Sequence, residues 1–328
     1  MLLTYFLFIA GFVLLIKGAD LLVDGASSLG KKFKISSLVI GLTVVSFGTS
    51  LPELLVNLYA SFGGNSDVGV GNILGSNIAN TLLILGVSAL IFPLAITKNT
   101  YFIEVPFLLT ATVMVGFLAN TELEFIKQAG NDSDVISRWD GFILLFFFAL
   151  FMGYVYVASK EKSSTEFDED QYKEMTMLRA FVFIGIGIVA LFFGGEWVVD
   201  GAVEMALYFG LSKTFIGLTI IAIGTSLPEL VTSGVAAWKK NTDIAVGNVV
   251  GSNIFNLLWI LGLSAVLKPI DYHEVNNTDV YMVIGSSTAL ILAIVIGKRA
   301  VISRWEGFFF LVFYSIYIYS LLVRENLI

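Results

Sequence analysis

The sequence predicts an all-α integral membrane protein: ten transmembrane helices in two inverted five-helix repeats, with broken helices at the midplane. Three observations predict it. Apolar residues are in excess, they fall into runs of membrane-spanning length, and a polar motif inside those runs occurs twice at one fixed spacing.

The excess comes first. Of 328 residues, 57% are hydrophobic and 14% charged, and the mean hydropathy is +0.87. Soluble domains carry about 25% charged residues, so this chain has more apolar surface than a core of its length can hide, and lipid must solvate the surplus. The net charge of −7 is opposite to the basic balance of a nucleic-acid surface. There is no cysteine, and the single histidine, His273, stands in a polar segment. Thiol chemistry, disulfides and imidazole-based catalysis within the membrane are thereby set aside.

The segmentation comes next. A spanning helix needs about 20 apolar residues. Such runs lie near 3–25, 36–60, 68–92, 101–119, 138–159, 178–203, 212–237, 244–267, 278–297 and 304–323. The first has no preceding Lys or Arg and no clear cleavage site, so it reads as a helix rather than a signal peptide. The acidic segment 160–177 divides a first half, 1–159, from a second, 178–328. It is too short for a domain and reads as a solvated cytoplasmic linker. Lys31, Lys32, Lys34, Lys98, Lys160, Lys239, Lys240, Lys298 and Arg299 all fall on one side if the N-terminus is outside. The positive-inside rule then makes both termini extracytoplasmic in a multi-pass protein.

The repeat is the most specific signal. Gly48-Thr49-Ser50-Leu51-Pro52-Glu53 recurs as Gly224-Thr225-Ser226-Leu227-Pro228-Glu229. Gly71-Asn72 and Gly75-Ser76-Asn77-Ile78 recur as Gly247-Asn248 and Gly251-Ser252-Asn253-Ile254, with Asn80 matched by Asn256. All these pairs lie 176 residues apart, as do Asp24 and Asp200. An odd number of spans per half makes the second half enter from the opposite face. That is the inverted-repeat design of secondary transporters, whose site lies at the midplane between the halves.

The motif chemistry points to a hard cation. Glu53 and Glu229 lie deep in apolar runs, where an ionised carboxylate costs about 2.5–3.5 kcal/mol on insertion scales. Two such charges balance one divalent ion. Calcium takes six to eight oxygens, and Thr49, Ser50, Thr225 and Ser226 offer hydroxyls. Pro52 and Pro228 lack an N–H and clash with the carbonyls four residues back, so both helices should kink or break and turn carbonyls toward the ion. Ser76 and Asn80 share a helical face, as do Ser252 and Asn256, and can add oxygens. The remaining asparagines, Asn72, Asn77, Asn248 and Asn253, read as helix-packing groups. Asp20, Asp24, Glu196 and Asp200 read as interfacial structural charges, with Lys17 placed to snorkel or pair with Asp20. Trp139 and Trp305 read as interface anchors.

At these residues the chain resembles the cation/calcium exchanger superfamily, most closely the prokaryotic sodium/calcium exchangers. The paired Gly-Thr-Ser-Leu-Pro-Glu and Gly-Ser-Asn motifs are very specific and the resemblance covers the whole chain. It implies a core of the second, third, seventh and eighth helices. It implies four cation sites bounded by Glu53 and Glu229, with Thr49, Thr225, Ser50, Ser226, Ser76 and Ser252 as further oxygens. The carbonyls of Ser46 and Ala222 would be flanking sodium ligands, and the first and sixth helices would slide across the core. Some relatives, potassium-dependent ones included, have an aspartate where Asn256 stands, and a neutral residue there argues against potassium cotransport.

The expectation is therefore a secondary antiporter, not an enzyme. It exchanges sodium for calcium by alternating access and exports calcium across the inner membrane of a prokaryote. No cofactor is expected; calcium and sodium are the transported partners, with no nucleic acid and no obligate protein partner. A functional monomer is consistent with two related halves. The alternatives are a proton/calcium exchanger of the same fold, a channel, and an intramembrane enzyme, for which Glu with Ser is a thin catalytic set.

Overall fold

The structure is a computed structural model that describes residues 2–63, 66–121, 135–160, 175–210, 216, 220, 222–296 and 300–324. Its helices are α1 (Leu3–Phe33), α2 (Ser37–Thr49), α3 (Leu51–Gly63), α4 (Val68–Ile91), α5 (Thr100–Asn120), α6 (Arg138–Ala158) and α7 (Met177–Tyr208). There follow the short α8 (Ala222–Gly224) and α9 (Leu227–Trp238), then α10 (Thr242–Leu267), α11 (Asn276–Ile296) and α12 (Arg304–Arg324). Eight of the described helices are long and apolar enough to cross a membrane, or nine when the bent α2–α3 pair is one span. The expected tenth span is represented by α8 and α9, while 211–215, 217–219 and 221 lie outside the described residues, as do 161–174 of the linker.

Two helices outrun their sequence limits. The first span, expected to end near 25, continues to Phe33 and finishes on Lys31 and Lys32, basic residues that suit the negative end of the helix dipole. The sixth continues to Tyr208. Each extension ends in a left-handed residue, Lys34 with φ 58° and Gly210 with φ 79°. These two residues are 176 apart, the spacing of the motif repeat. A backbone turn that favours glycine is thus used in both halves, and the first half carries it on a lysine.

The helices α1 and α7 form a pair whose backbones touch. A side-chain carbon added at Gly11, Gly18 or Gly25 would lie 2.9 Å from the carbonyl oxygens of Gly194, Gly187 and Ala180 respectively. Residues seven apart on a helix return to the same face, so this seam runs along four turns with no side chain between the backbones. Small residues at such spacing let membrane helices gain dispersion contacts that lipid cannot replace.

Other packing crosses between the halves. Gly86 of α4 and Gly307 of α12 face each other's carbonyls, as do Gly141 of α6 and Gly262 of α10. Two short antiparallel pairs repeat the crossing. β1 (Leu94–Ala95) joins β4 (Val301–Ile302), and β2 (Val135–Ile136) joins β3 (Ile270–Asp271). In the middle, α4 and α10 are the most enclosed spans, with 78% and 83% of their apolar windows buried, against 22% for α7. The centre is therefore built from α2–α3, α4, α9 and α10, and α1 with α7 stands at its edge.

Asp20 and Asp24 do not pair with Lys17, which is exposed. They hold Lys239, just past α9, whose Nζ lies 2.5 Å from Asp20 Oδ1 and 2.6 Å from Asp24 Oδ1. Partial burial alone would lower the lysine's pKa, but the two carboxylates more than offset it and hold the ammonium above the ordinary lysine range. With the folded value raised, the lysine's share of stability is fully present below its unfolded value of about 10.4 and is lost as pH climbs through the folded value.

Gly18→Val would drive its first added carbon against the Gly187 carbonyl at 2.9 Å. It is expected to lower stability by about 1–3 kcal/mol. Thermal unfolding in detergent checks this, and an unchanged midpoint would show that the seam carries no load.

Candidate functional site

Each half breaks its helix at the motif. Between α2 and α3 the axis bends by 46° at Ser50. In the second half α8 ends at Gly224 and α9 begins at Leu227. Pro52 and Pro228 sit in the first turn of the new helix, where a missing N–H removes no intrahelical bond. The expectation of a break at both prolines matches what the chain does. Glu53 and Glu229 follow at once, at the positive ends of α3 and α9, where the unpaired N–H groups favour negative charge.

Both glutamates are completely buried and near enough to repel each other electrostatically. Glu229 has hydroxyl partners: Ser50 Oγ donates to its Oε1 at 3.1 Å, and Ser252 Oγ stands 3.4 Å from the same oxygen. Thus the first half's serine reaches the second half's glutamate. The mirror contact is not made. Ser226 Oγ, both Glu53 carboxylate oxygens and Glu229 Oε2 are buried without a protein partner. Ser76 stands beside Glu53, yet its Oγ also falls short of hydrogen-bond geometry with any protein group.

The remaining predicted residues surround this pair. The Thr49 hydroxyl lies 3.1 Å from Asn248 Oδ1, 3.3 Å from the Ser46 carbonyl and 3.4 Å from Ser252 Oγ. Thr225 donates to Asn72 Oδ1 at 3.1 Å, the same contact with the halves exchanged. The Ser46 carbonyl also accepts the Ser50 N–H at 2.9 Å. Ala222 opens α8, and there the Ser226 N–H turns to Ile223 at 3.1 Å rather than to Ala222.

Asn80 and Asn256 lie in matching π-helical turns, Ala79–Ile84 and Phe255–Ile260. Such turns loosen the backbone ladder and are frequent at functional sites. The Asn256 amide donates to Asn77 Oδ1 at 3.1 Å, which leaves Asn256 Oδ1 buried and without a protein partner, as are both polar atoms of Asn80. Among the described residues no group of three or more His, Cys, Asp or Glu could hold a metal. Any ion here would therefore meet two carboxylates and neutral oxygens.

Asn248 does more than pack. Besides meeting Thr49, its amide donates to Ser233 Oγ at 2.9 Å and stands 3.5 Å from the Glu229 carbonyl. It fixes one threonine and one glutamate from opposite halves. The sequence carried a signal for this, the exact recurrence of Gly-Asn in both halves, but that reads equally as a packing motif. Asn77 and Asn253 do pack: Asn77 donates to the Asn253 carbonyl at 3.3 Å, and Asn253 donates to Thr81 at 2.9 Å.

Fold and repeat define a membrane transporter of two related halves, with buried oxygens of both gathered beside Glu53 and Glu229. Comparison with known proteins agrees. The family described as "Sodium/calcium exchanger protein" matches residues 3–157 and 179–323, and the chain belongs to that family. It is 36% identical to the putative antiporter CaxA of Alkalimonas amylolytica, covering 95% of this chain and 97% of that one. It is 31% identical to the sodium/calcium exchanger MaX1 of Methanosarcina acetivorans, covering 95% and 96%. It resembles a solved structure of the sodium-calcium exchanger NCX_Mj soaked with 10 mM sodium and no calcium. That match has a TM-score of 0.80 and 32% identity, covering 98% of this chain and 99% of that one. The protein is thus a cation/calcium exchanger of the membrane, not an enzyme.

Asn248→Ala would take from buried Ser233 Oγ its amide partner and from Thr49 its nearest acceptor. It is expected to cost about 1–3 kcal/mol of stability. Thermal unfolding in detergent measures it, and stability equal to the unaltered protein would make Asn248 a packing residue only.

Proposed function

We propose that the chain exchanges sodium for calcium by alternating access, with Glu53 and Glu229 as the shared carboxylates of one midplane site. The observation that carries this reading is the set of buried oxygens that no protein group satisfies. Of these, the ones carried by the repeated motifs are both oxygens of Glu53, Glu229 Oε2, and the side-chain oxygens of Ser76, Ser226, Asn80 and Asn256. Buried polar atoms ordinarily find partners, and three orphaned carboxylate oxygens with four orphaned neutral ones are the coordination chemistry of a hard cation. Thr49, Thr225, Ser50 and Ser252 complete the hydroxyl lining, and the carbonyls of Ser46 and Ala222 flank it as sodium ligands.

Coupling follows from the charge. Two carboxylates buried with no ion are costly to enclose, because each loses water without gaining a counter-charge. One calcium neutralises them, and sodium ions do so in competition. The loaded site can be occluded and passed across, and the half-loaded one resists. With three sodium ions per calcium, one net charge crosses per cycle, worth about 2.3 kcal/mol at 100 mV. That stoichiometry uses the membrane potential to drive calcium outward. The two repeats are 1–159 and 178–328, joined by the acidic linker 160–177, and the α1–α7 pair, one helix from each, slides across the centre they build together. The setting proposed is the inner membrane of a prokaryote with both termini outside.

The test is calcium uptake into vesicles holding the purified protein, loaded with sodium or with choline at equal pH. Uptake that requires outward sodium supports the proposal. Uptake that ignores sodium and follows a pH gradient makes the proton the coupling ion, and no gradient-driven flux overturns the exchange reading. Glu53→Gln and Glu229→Gln are each expected to weaken calcium binding about a hundredfold or more. Isothermal titration in detergent reads this, and undiminished binding in both variants would remove the glutamates from the site.

A further inference from the structure

Lys239 adds an ion pair to the packing between α1 and the central group. It follows α9, in the central group, and its Nζ reaches Asp20 and Asp24 of α1 at 2.5 and 2.6 Å. The same nitrogen stands 3.5 Å from the Asp20 carbonyl. The lysine side chain is 21% exposed and the aspartates 42% and 32%, so water screens the pair only in part. Because α1 and α7 share a backbone seam at Gly11, Gly18 and Gly25, a tie on α1 also restrains α7.

The repeat shows what the other face lacks. At the spacing of 176, Asp20 and Asp24 correspond to Glu196 and Asp200 of α7, and Lys239 corresponds to Gly63, the last residue of α3. The acidic pair is duplicated and the lysine is not. Among the described residues Glu196 and Asp200 make no ion pair, and both are exposed. Near the far end of the pair, Thr4 of α1 donates to Glu204 of α7 at 2.7 Å, a bond internal to the pair that does not reach the centre.

We propose that Lys239 is a one-sided latch. It holds the α1–α7 pair against the centre at the end that the Lys and Arg bias makes cytoplasmic, and among the described residues no counterpart ion pair holds the other end. Alternating access in inverted repeats moves one bundle against another around a fixed site. Two halves of one sequence pattern would leave the two open states close in energy. A tie on one face breaks that balance and favours the state closed to the cytoplasm. The inference rests on the alternating-access reading above and adds to it a bias and the residues that set it.

The test uses the absence of native cysteine. Cysteines replacing Lys32, at the end of α1, and Lys98, in the exposed link before α5, carry spin labels in the full-length protein in lipid. Pulsed electron-electron resonance then reads the distance between the α1–α7 pair and the centre on the latch side. In the unaltered background one shorter distance should dominate. Lys239→Gln should raise the ratio of a longer-distance population about fivefold or more, Lys239→Arg should not, and Asp20→Asn with Asp24→Asn should match Lys239→Gln. Gly63→Lys, where a side chain meets nothing within 4 Å, should build the missing counterpart and shift the ratio the same way. Superimposable distances in the unaltered, Lys239→Gln and double-Asn backgrounds would overturn the latch. Should Lys239→Gln fail to fold, the double-Asn background decides alone. Sodium-driven calcium uptake is run in parallel. Its absence from the unaltered protein overturns the exchange reading, whereas the latch stands or falls on the distances.

Discussion

Two carboxylates buried together inside a membrane protein constrain everything around them. Glu53 and Glu229 are completely enclosed and repel each other, and such a pair is tolerated only where positive charge can come. The local backbone is shaped to that end. The prolines stop one helix and start another, so each glutamate sits at a helix N-terminus rather than midway along a span. The π-helical turns that hold Asn80 and Asn256 pack against the helices that carry Glu229 and Glu53 respectively. Even the asparagine bonds serve it: Asn77 accepts the Asn256 amide, and Asn256's oxygen is left without a protein partner. Glutamate, broken helix and loosened turn are one arrangement made twice.

Exchange also needs the enclosing parts to come apart, and the packing divides accordingly. Within the centre, contacts run between halves through hydrogen bonds such as Ser50 to Glu229 and Thr225 to Asn72. They also run through glycine contacts such as Gly41 to Gly247. The pair α1 and α7 is joined by backbone contacts along its own seam, at Gly11, Gly18 and Gly25. Close-packed glycine surfaces are stiff, because no flexible side chain intervenes to absorb strain. Such a pair is suited to moving as a unit, and α7 meets the centre through side chains, Ile188 against Gly48 and Val199 against Gly224.

What the sequence revealed and what it hid follow from the range of the interactions. The apolar runs, the glutamates, the proline breaks and the serines and threonines around them were legible, because each is local and each occurs twice in register. The extension of α1 to Phe33 was not, because Ser27 and Ser28 lower the local hydropathy although both are buried against protein. Lys17 lay one turn from Asp20 and was an obvious partner, yet the partner is Lys239, more than 200 residues away in the chain. Asn248 and Asn72 read as packing groups for the same reason: their partners Thr49 and Thr225 belong to the other half. The paired β segments were invisible for a simpler reason, since each is two residues long.

The repeat gives the two halves equal motifs, so whatever distinguishes the two faces of the membrane must reside where the halves differ. Those differences are few and chemically pointed. Glu229 receives hydroxyls from both halves, and Glu53 receives none. Glu104 of α5 is met by the Tyr154 hydroxyl, whereas Asp279 of α11, 175 residues on, is met by Tyr317 and by Arg324 at 3.6 Å. Lys239 has a glycine as its counterpart. Each difference adds or removes charge pairing on one side of an otherwise balanced frame. A duplicated frame makes two states possible, and its unduplicated charges set their order. A mutation at a repeated residue should therefore impair exchange in both directions. One at Lys239 should leave the chemistry of the site intact and change only which face it meets.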